Sequence, residues 1–421
     1  MWFGLIAVLG SLAPPANDAA LAELVWQRSA DLQAQRARVA AAAADLEKAE
    51  LIPNPSLDVS YNTIPIGPHN PTNETFFNIP NLQVGVSELV ELGKRGPRQD
   101  ATAAALKAAK LDAIALLRDH FYDAKERYTD IATAQARIAS FTQLVDGARR
   151  LRELEEARAT NGETSRLELD RARLEEEKLK SSLAEERERL LAGLRACALA
   201  MNDECEPFPD AAAASAFLAA AADTSAEAPL SQRPDLLSLD AQAESARASK
   251  VLADRKLIPD LTVRAGYVRD WFVISGNQPH SLFVGVSMPL PVFDRGQADS
   301  RAAAELEQAT IRAKELLTQS SERALGAATS ELAAYHERLS RLRTSTLPLS
   351  KDIVDRLDQA VTRGGAPVQD LILARRTYEE LSIDALDLEL ATSRLALSRA
   401  RLSGATPPVP EELKGRGDGQ P

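Results

Sequence analysis

The sequence is poor in aromatic residues, which make up 5% of its 421 positions, and it has a net charge of −11. Without an excess of basic residues the chain lacks the positive stripe that neutralises phosphates, which argues against a nucleic-acid partner. Long hydrophobic runs are also missing, since none beyond the first residues approaches the roughly 18 apolar residues of a membrane-spanning helix. If the protein enters a membrane, we expect it to do so as β-strands.

The first residues, MWFGLIAVLGSLA, form a short apolar run that ends in the small-x-small triplet Ser11-Leu12-Ala13. Such a run is typical of a secretory signal, although the usual basic start is missing. We therefore predict a signal peptide over residues 1–16, the alternative being the buried end of a helix.

Only two cysteines occur, Cys197 and Cys205. In an oxidising compartment they would close a small disulfide loop, whereas in the cytosol they would remain buried thiols. Because the start of the chain indicates export, the disulfide is the favoured alternative.

Alanine is abundant and 26% of the residues are charged, a composition that indicates long packed helices. The sequence also contains an internal repeat, whose two copies are displaced by about 200 residues. The landmarks that recur are Leu51-Ile52-Pro53-Asn54 as Leu257-Ile258-Pro259-Asp260, Val84-Gly85-Val86-Ser87 as Val284-Gly285-Val286-Ser287, Arg95-Gly96 as Arg295-Gly296, and Thr160-x-Gly162 as Thr362-x-Gly364.

After its Leu-Ile-Pro landmark, each copy shows apolar and polar residues in alternation, which predicts a pair of β-strands. If these strands belong to a lipid-embedded barrel, one set of side chains faces lipid and the other faces the lumen. The predicted lipid-facing set is Leu57, Val59, Tyr61, Val84, Val86, Val263, Tyr267, Val284 and Val286, and the lumen-facing set is Ser60, Ser87, Arg264 and Ser287. Aromatic residues near the strand ends, Phe76, Phe77, Trp271 and Phe272, fit the same interpretation. A soluble sandwich edge is the alternative.

A helical period follows each strand pair and continues for about 60 residues, so each long helix spans on the order of 90–100 Å. The seam runs through Ile114, Leu117, Phe121, Tyr128, Ile131, Ile138, Phe141 and Val145 in the first copy, and through Leu332, Tyr335, Leu339, Leu342, Leu349 and Ile353 in the second. Only Pro348 interrupts the second long helix. The acidic runs Glu175-Glu176-Glu177 and Glu185-Glu186 are interpreted as solvated helix faces.

The resulting fold class is mainly α with four strands, as a duplicated strand pair followed by a long coiled-helix hairpin. Two shorter helices, 19–50 and 234–256, return along the long ones. The predicted divisions are a first repeat over 17–205 (strand pair 55–90, helical hairpin 98–200), an equatorial linker over 206–232, a second repeat over 233–403 (strand pair 260–292, helical hairpin 297–403) and a C-terminal tail over 404–421.

This layout resembles the TolC-like outer-membrane efflux family over nearly the whole chain. The most specific matches are Val284–Gly296, which is similar to that family's strand-to-helix crossover, and Arg233-Pro234-Asp235-Leu236 ahead of the third strand. Glu91-Leu92-Gly93-Lys94-Arg95-Gly96 is similar to the metal-exporting branch. The resemblance implies a homotrimer whose twelve strands form an outer-membrane barrel, continued by a helical tunnel in the periplasm. It also implies a periplasmic adaptor (a membrane fusion protein) and an inner-membrane pump as partners, with outer-membrane lipid around the barrel.

The resemblance also suggests candidate sites on this sequence. Asp370 and Glu168 are expected to form rings that gate the pore, with Arg363, Arg375 and Arg376 as candidates to hold them. The adaptor is expected to dock at the hairpin tips, Thr160, Gly162, Thr362, Arg363 and Gly364, where the two glycines would cap the long helices. The strand-to-helix crossovers are expected at Gly96, Pro97, Pro289, Pro291 and Gly296.

No catalytic set, phosphate loop, metal-ligand spacing or cofactor motif is present, so an enzyme is not predicted. The predicted function is a passive outer-membrane channel that conducts solutes delivered by a pump. The alternative is a periplasmic coiled-coil adaptor or scaffold without a pore, against which the two strand pairs argue.

Overall fold

The computed structural model of the protein describes residues 13–62, 69, 81–222, 228–270 and 279–414. Most of the predicted signal peptide, the four aromatic residues of the hairpin loops and the end of the tail lie outside the described residues. The helices are α1 (Asp18–Arg28), α2 (Ala30–Glu50), α3 (Arg95–Thr160), α4 (Arg166–Met201), α5 (Ala211–Ala222), α6 (Pro234–Asp254), α7 (Gln297–Arg341), α8 (Leu347–Thr362) and α9 (Val368–Leu402), and the strands are β1 (Ser56–Asn62), β2 (Asn81–Val90), β3 (Leu261–Asp270) and β4 (His280–Ser287).

The chain divides into two compact units. The sheet unit comprises Arg38–Lys110 and Ser238–Lys314, and the helical unit comprises Met1–Ala37, Leu111–Leu237 and Glu315–Pro421. Both copies of the repeat contribute to each unit, because each copy supplies two strands to one and a helical hairpin to the other.

In the sheet unit, the four strands form one antiparallel sheet in the order β1-β2-β3-β4. The accompanying helices bury alanines such as Ala101, Ala104 and Ala246, and these small side chains let helix backbones approach closely. Ser245 on α6 donates a 2.8 Å hydrogen bond to the carbonyl oxygen of Ala101 on α3. This contact needs such a close approach between the two helices.

In the helical unit, the predicted seam of α3 is buried. Leu117, Tyr128 and Ile131 are 0% exposed, and Phe141 and Val145 pack with Leu179 and Leu183 of α4 and with Ile383 of α9. The prediction of a coiled helical hairpin is therefore confirmed for the first copy.

The seam of the second copy shifts by one residue, so the predicted positions Leu349 and Ile353 are wrong. They are 61% and 46% exposed, while Ser350, Val354, Leu357 and Val361 are buried or packed into a core. The cause is a π-helical turn at Leu342–Thr346, directly before Pro348. A π turn inserts one extra residue, so every later side chain moves one place along the seam.

Three further differences concern helix boundaries. The N-terminal helix predicted over 19–50 breaks at Ser29, whose ψ of 124° is extended. The linker predicted over 206–232 contains α5, an alanine-rich helix that packs against α9. The second strand pair, predicted over 260–292, is shorter than predicted because β4 ends at Ser287, whereas the first pair agrees with 55–90, since β1 begins at Ser56 and β2 ends at Val90.

Candidate functional site

One face of the sheet is mainly apolar, with Glu88, Arg269 and His280 towards its two ends. Residues directly opposite one another in an antiparallel sheet share a face, as do residues two apart along a strand. The register therefore places the first row, Leu57, Val86, Ala265 and Val284, and the next row, Val59, Val84, Tyr267 and Leu282, on the same side of the sheet. Leu57, Leu282 and Val284 are 70%, 83% and 79% exposed in the single chain. All nine residues of the predicted lipid-facing set lie on this apolar face, and that it meets lipid stays a prediction.

The opposite face of the sheet is mainly polar. It carries Ser60, Ser87, Arg264 and Ser287, the residues that the alternation predicted for the lumen, together with Asp58, Gln83 and Ser281. One aromatic side chain, Phe283, interrupts this polar face among the described strand residues, and the alternation within β4 does not distinguish it from its polar neighbours.

The two edges of the sheet are open. Among the residues that the structure describes, β1 pairs only with β2, and β4 pairs only with β3. An unpaired edge exposes a row of backbone N–H and C=O groups, which have no partner in a bilayer and invite a further strand.

The crossover of the second copy turns at Gly296, whose φ is +80°. A Cβ built there would lie 2.1 Å from the carbonyl oxygen of Ala253, so only glycine fits. Pro289 and Pro291 lie between β4 and α7, as predicted.

The crossover predicted at Gly96 and Pro97 is wrong, because both residues belong to the first turn of α3. Proline is tolerated there, since the N–H groups of a first turn have no partner in the helix. The turn is made instead at Gly93, with φ +73°. The signal that would have identified it is its place three residues after Val90, where β2 ends.

Hydrogen bonds and ion pairs made by the Glu91–Gly96 segment stabilise this first crossover. The carboxylate of Asp260 accepts hydrogen bonds from Leu92 N–H at 3.1 Å and from Lys94 Nζ at 2.8 Å. Glu91 accepts two hydrogen bonds from Arg98, which raise the pKa of that guanidinium. The segment therefore joins the end of β2 to the start of β3.

The two hairpin tips end their helices in the same way. Gly162 and Gly364 have φ values of +78° and +73°. Glu163 N–H donates to the carbonyl of Arg158 at 2.8 Å and Gly162 N–H donates to that of Ala159 at 3.1 Å, the two bonds of a Schellman motif. The second copy repeats both bonds around Gly364, so the prediction of capping glycines is confirmed.

Both candidate gate residues lie in the first turn of a helix that leaves a tip. Ser165 caps α4 by accepting a 3.3 Å hydrogen bond from the N–H of Glu168, a Ser-x-x-Glu arrangement that favours an acid at this position. Asp370 is the first-turn acid of α9 and is exposed. A carboxylate there also stabilises the helix dipole. The positions at the tips agree with the gate hypothesis, and the role stays a prediction.

Two of the three arginines proposed to hold the gate, Arg375 and Arg376, have other partners within the chain. Arg375 donates 2.6 Å hydrogen bonds to the carbonyl of Gly147 and to Asp358. Arg376 pairs with Glu175. Neither interaction involves Asp370.

The interpretation of the acidic runs as solvated faces is wrong for three of their members. Glu175, Glu176 and Glu186 are 7%, 4% and 4% exposed. Each is buried because a cation meets it: Arg376 reaches Glu175 from α9, and from α3 Arg152 reaches Glu176 at 2.7 Å and Arg137 reaches Glu186 at 3.1 Å. The hydrogen bond from Lys180, followed by that from Arg152, lowers the pKa of Glu176. These pairs join the helices that line the interior of the unit.

Glu379 on α9 is a further buried acid. It lies beside Glu175 and close to Lys178 of α4. Burial raises the pKa of its carboxyl, and the neighbouring carboxylates of Glu175 and Glu380 add to this, while Lys178 and Arg376 oppose it. Its proton affinity therefore depends on the packing of α4 against α9.

Cys197 and Cys205 form a disulfide, with their Cα atoms 6.0 Å apart. It closes the segment in which α4 ends at Met201 and is capped by Asn202, a left-handed residue with φ +51°. In the described ranges, no three His, Cys, Asp or Glu side chains come together as they would around a metal ion. No helix of those ranges carries an apolar stretch long enough to cross a bilayer.

The features described so far define an architecture: an amphipathic, open-edged sheet with long antiparallel helical hairpins in two copies. Comparisons with known proteins agree. Residues 21–202 match the family model described as "Outer membrane efflux protein". The chain is 24% identical over 360 residues to the cobalt-zinc-cadmium resistance protein CzcC of Cupriavidus metallidurans, covering 85% of this chain and 82% of that protein.

Solved structures share the fold. CusC matches with a TM-score of 0.74 and 17% identity, covering 94% of both chains. The open state of the Neisseria gonorrhoeae MtrE outer membrane channel matches with a TM-score of 0.69 and 16% identity, covering 92% of this chain and 89% of that one. In sequence and in fold, the chain resembles the TolC-like outer-membrane efflux family. It is an outer-membrane efflux channel protein that extends into the periplasm, and the alternative of an adaptor without a pore is not supported.

Proposed function

We propose that three copies of this chain join their sheets into a twelve-stranded barrel and form the outlet of a tripartite efflux system. The observation that carries the proposal is the sheet itself, whose apolar face is exposed over all four strands while both edges are open. A lone four-stranded sheet in lipid would leave the backbone groups of β1 and β4 unpaired, at a cost of several kcal/mol per group. Pairing β4 of one copy with β1 of the next removes both edges.

The helical hairpins would continue the barrel as a periplasmic tunnel, and their tips would bind a periplasmic adaptor that links the channel to an inner-membrane pump. The proposed contacts are Thr160, Gly162, Thr362, Arg363 and Gly364. The two tips support this role because they share one backbone geometry, so a single adaptor motif would fit both.

The cargo that we propose is a divalent transition-metal cation. The relative from Cupriavidus metallidurans is named for resistance to cobalt, zinc and cadmium, and the candidate gate residues Asp370 and Glu168 are both acidic. An acidic conduit lowers the electrostatic cost of admitting cations. The test is to express the channel with its adjacent pump genes in a metal-sensitive host, whose tolerance of cobalt, zinc or cadmium salts should rise. Unchanged tolerance of all three metals would contradict the proposed cargo.

The tunnel mouth is proposed to be gated by Asp370, with Glu168 in a weaker role, each multiplied into a ring by three-fold symmetry. Rings of carboxylates hold multivalent cations and so allow these ions to block the current. Asp370→Asn should weaken this block in planar bilayers. Asp384→Asn is the matched control, because position 384 lies two heptads further along the same face of α9. If the two variants respond to cations identically, Asp370 is only a helix-stabilising acid.

The trimeric channel itself is tested by purifying the full chain in detergent. We expect a trimer that resists SDS until it is heated, and step-like currents when it is added to planar bilayers. A monomer without channel activity would contradict the proposed function.

A further inference from the structure

Phe283 lies in the middle of β4 on the polar face of the sheet, where the other side chains are mostly small or hydrophilic. The row that contains it runs across all four strands as Asp58, Gly85, Gly266 and Phe283. Two neighbouring glycines thus separate an aromatic residue from an acidic one. In the proposed barrel this face lines the lumen, so the inference below rests on the proposed function.

The two glycines leave a space on the sheet surface that the phenyl ring of Phe283 occupies. A Cβ built on Gly266 would lie 2.5 Å from Cε1 of Phe283, and one built on Gly85 would lie 2.9 Å from its Cζ. Because the nearest ring atoms lie against β3 and then β2, the ring extends sideways across two strands. It therefore lies flat on the sheet, and any side chain at either glycine would occupy its place.

The orientation of the ring matters because the lumen is narrow. Twelve strands about 4.8 Å apart and tilted by about 40° enclose a barrel of roughly 12 Å backbone radius. A phenylalanine side chain standing upright would reach roughly half of that distance. Three upright rings at one level would form an apolar constriction, whereas three flat rings leave the bore open and wet.

We propose that Gly85 and Gly266 are positioning residues that keep Phe283 flat against the barrel wall, and that this trio sets the bore of the barrel at mid-height. The glycines are needed for the space that they leave rather than for backbone freedom, since neither has a positive φ. A ring lying on glycine backbone also covers peptide groups of β2 and β3, which stabilises the sheet. The test must therefore separate aperture from stability.

The experiment measures which polymers enter the barrel of the full-length trimer. Single channels are recorded in planar bilayers while polyethylene glycols of increasing size are added on the barrel side only. This readout reports the bore of the barrel even where the periplasmic end limits the current. Gly85→Ala should lower the limiting polymer radius by roughly 1.5-fold, because the displaced ring turns into the lumen. The double variant Gly85→Ala/Phe283→Ala should restore the wild-type limit.

Gly285→Ala is the matched control, since it adds the same methyl group on the same face where a Cβ would meet nothing within 4 Å. An unchanged limit in Gly85→Ala, or one equal to that of the control, would overturn the inference. Phe283→Ala alone provides a second test that does not depend on Gly85→Ala assembling. Removal of a flat ring should change the limit by less than about 1.2-fold, and a marked increase would show that the ring already protrudes. A wild-type protein that forms no channels would instead contradict the proposed function.

Discussion

A charge placed on the apolar face of the sheet tests the membrane assignment with a large expected effect. Val284 is suitable because it lies mid-strand, is 79% exposed in one chain and is directly opposite Ala265. An arginine near the bilayer midplane costs about 2–4 kcal/mol. Three symmetric copies would therefore lose roughly 6–12 kcal/mol per trimer if their costs add.

The assay is folding of the Val284→Arg chain into lipid vesicles across a urea series, read as the fraction that runs as a heat-modifiable trimer. A cost of 2–4 kcal/mol per chain lowers the folding equilibrium constant by roughly 30- to 700-fold. Ser281→Arg is the matched control, because this residue lies on the polar face of the same strand, opposite the uncharged Val268. Equal losses in both variants, or a larger loss in the control, would refute the reasoning.

Three further predictions concern the helical unit. Burial raises the pKa of Glu379, so the folded state retains a proton that the unfolded chain releases above its ordinary pKa. The free energy of unfolding therefore declines as pH rises, and Glu379→Gln should abolish this decline. Identical pH slopes in thermal unfolding would contradict this. Cys205→Ser should cost about 2.5 kcal/mol on the chain-entropy estimate for its short loop, and a reducing agent should then have no further effect on the variant. Gly162→Ala should cost about 1–2 kcal/mol at its positive φ, whereas Gly326→Ala, mid-helix with nothing near its Cβ, should be neutral or stabilising in the same denaturant titration.

Much of the fold follows from local sequence patterns. Alternation identified all four strands, because each has one apolar and one polar face that the register then aligns. The internal repeat predicted the equivalence of the two tips, and Gly162 and Gly364 adopt the same Schellman geometry because only a residue free of a Cβ takes that conformation cheaply. These features depend on a few neighbouring residues, so a single sequence contains them.

The features that were missed depend on distant partners. In the sequence, Glu175 and Glu176 resemble a solvated helix face, because the arginines that pair with them lie more than twenty residues away along the chain. The π turn before Pro348 moves the seam by one residue, and no periodicity within α7 predicts such an insertion. The pair of glycines beneath Phe283 likewise depends on the register of β2 against β3, which places glycines 181 positions apart in the chain side by side.

Disulfide cross-linking between β1 and β4 tests the trimeric barrel most directly. Within one chain these strands are separated by two others, roughly 14 Å across the sheet, too far for a disulfide. Any bond between them must therefore join two copies. With Ser60→Cys on β1 held constant, cysteines at Ser281, Gly285 and Ser287 on β4 are scanned in outer membranes of the expressing host. We predict that at least one pair gives covalent dimers and trimers on non-reducing gels, which collapse to monomers on reduction. Monomers alone at every pair would contradict the closed barrel.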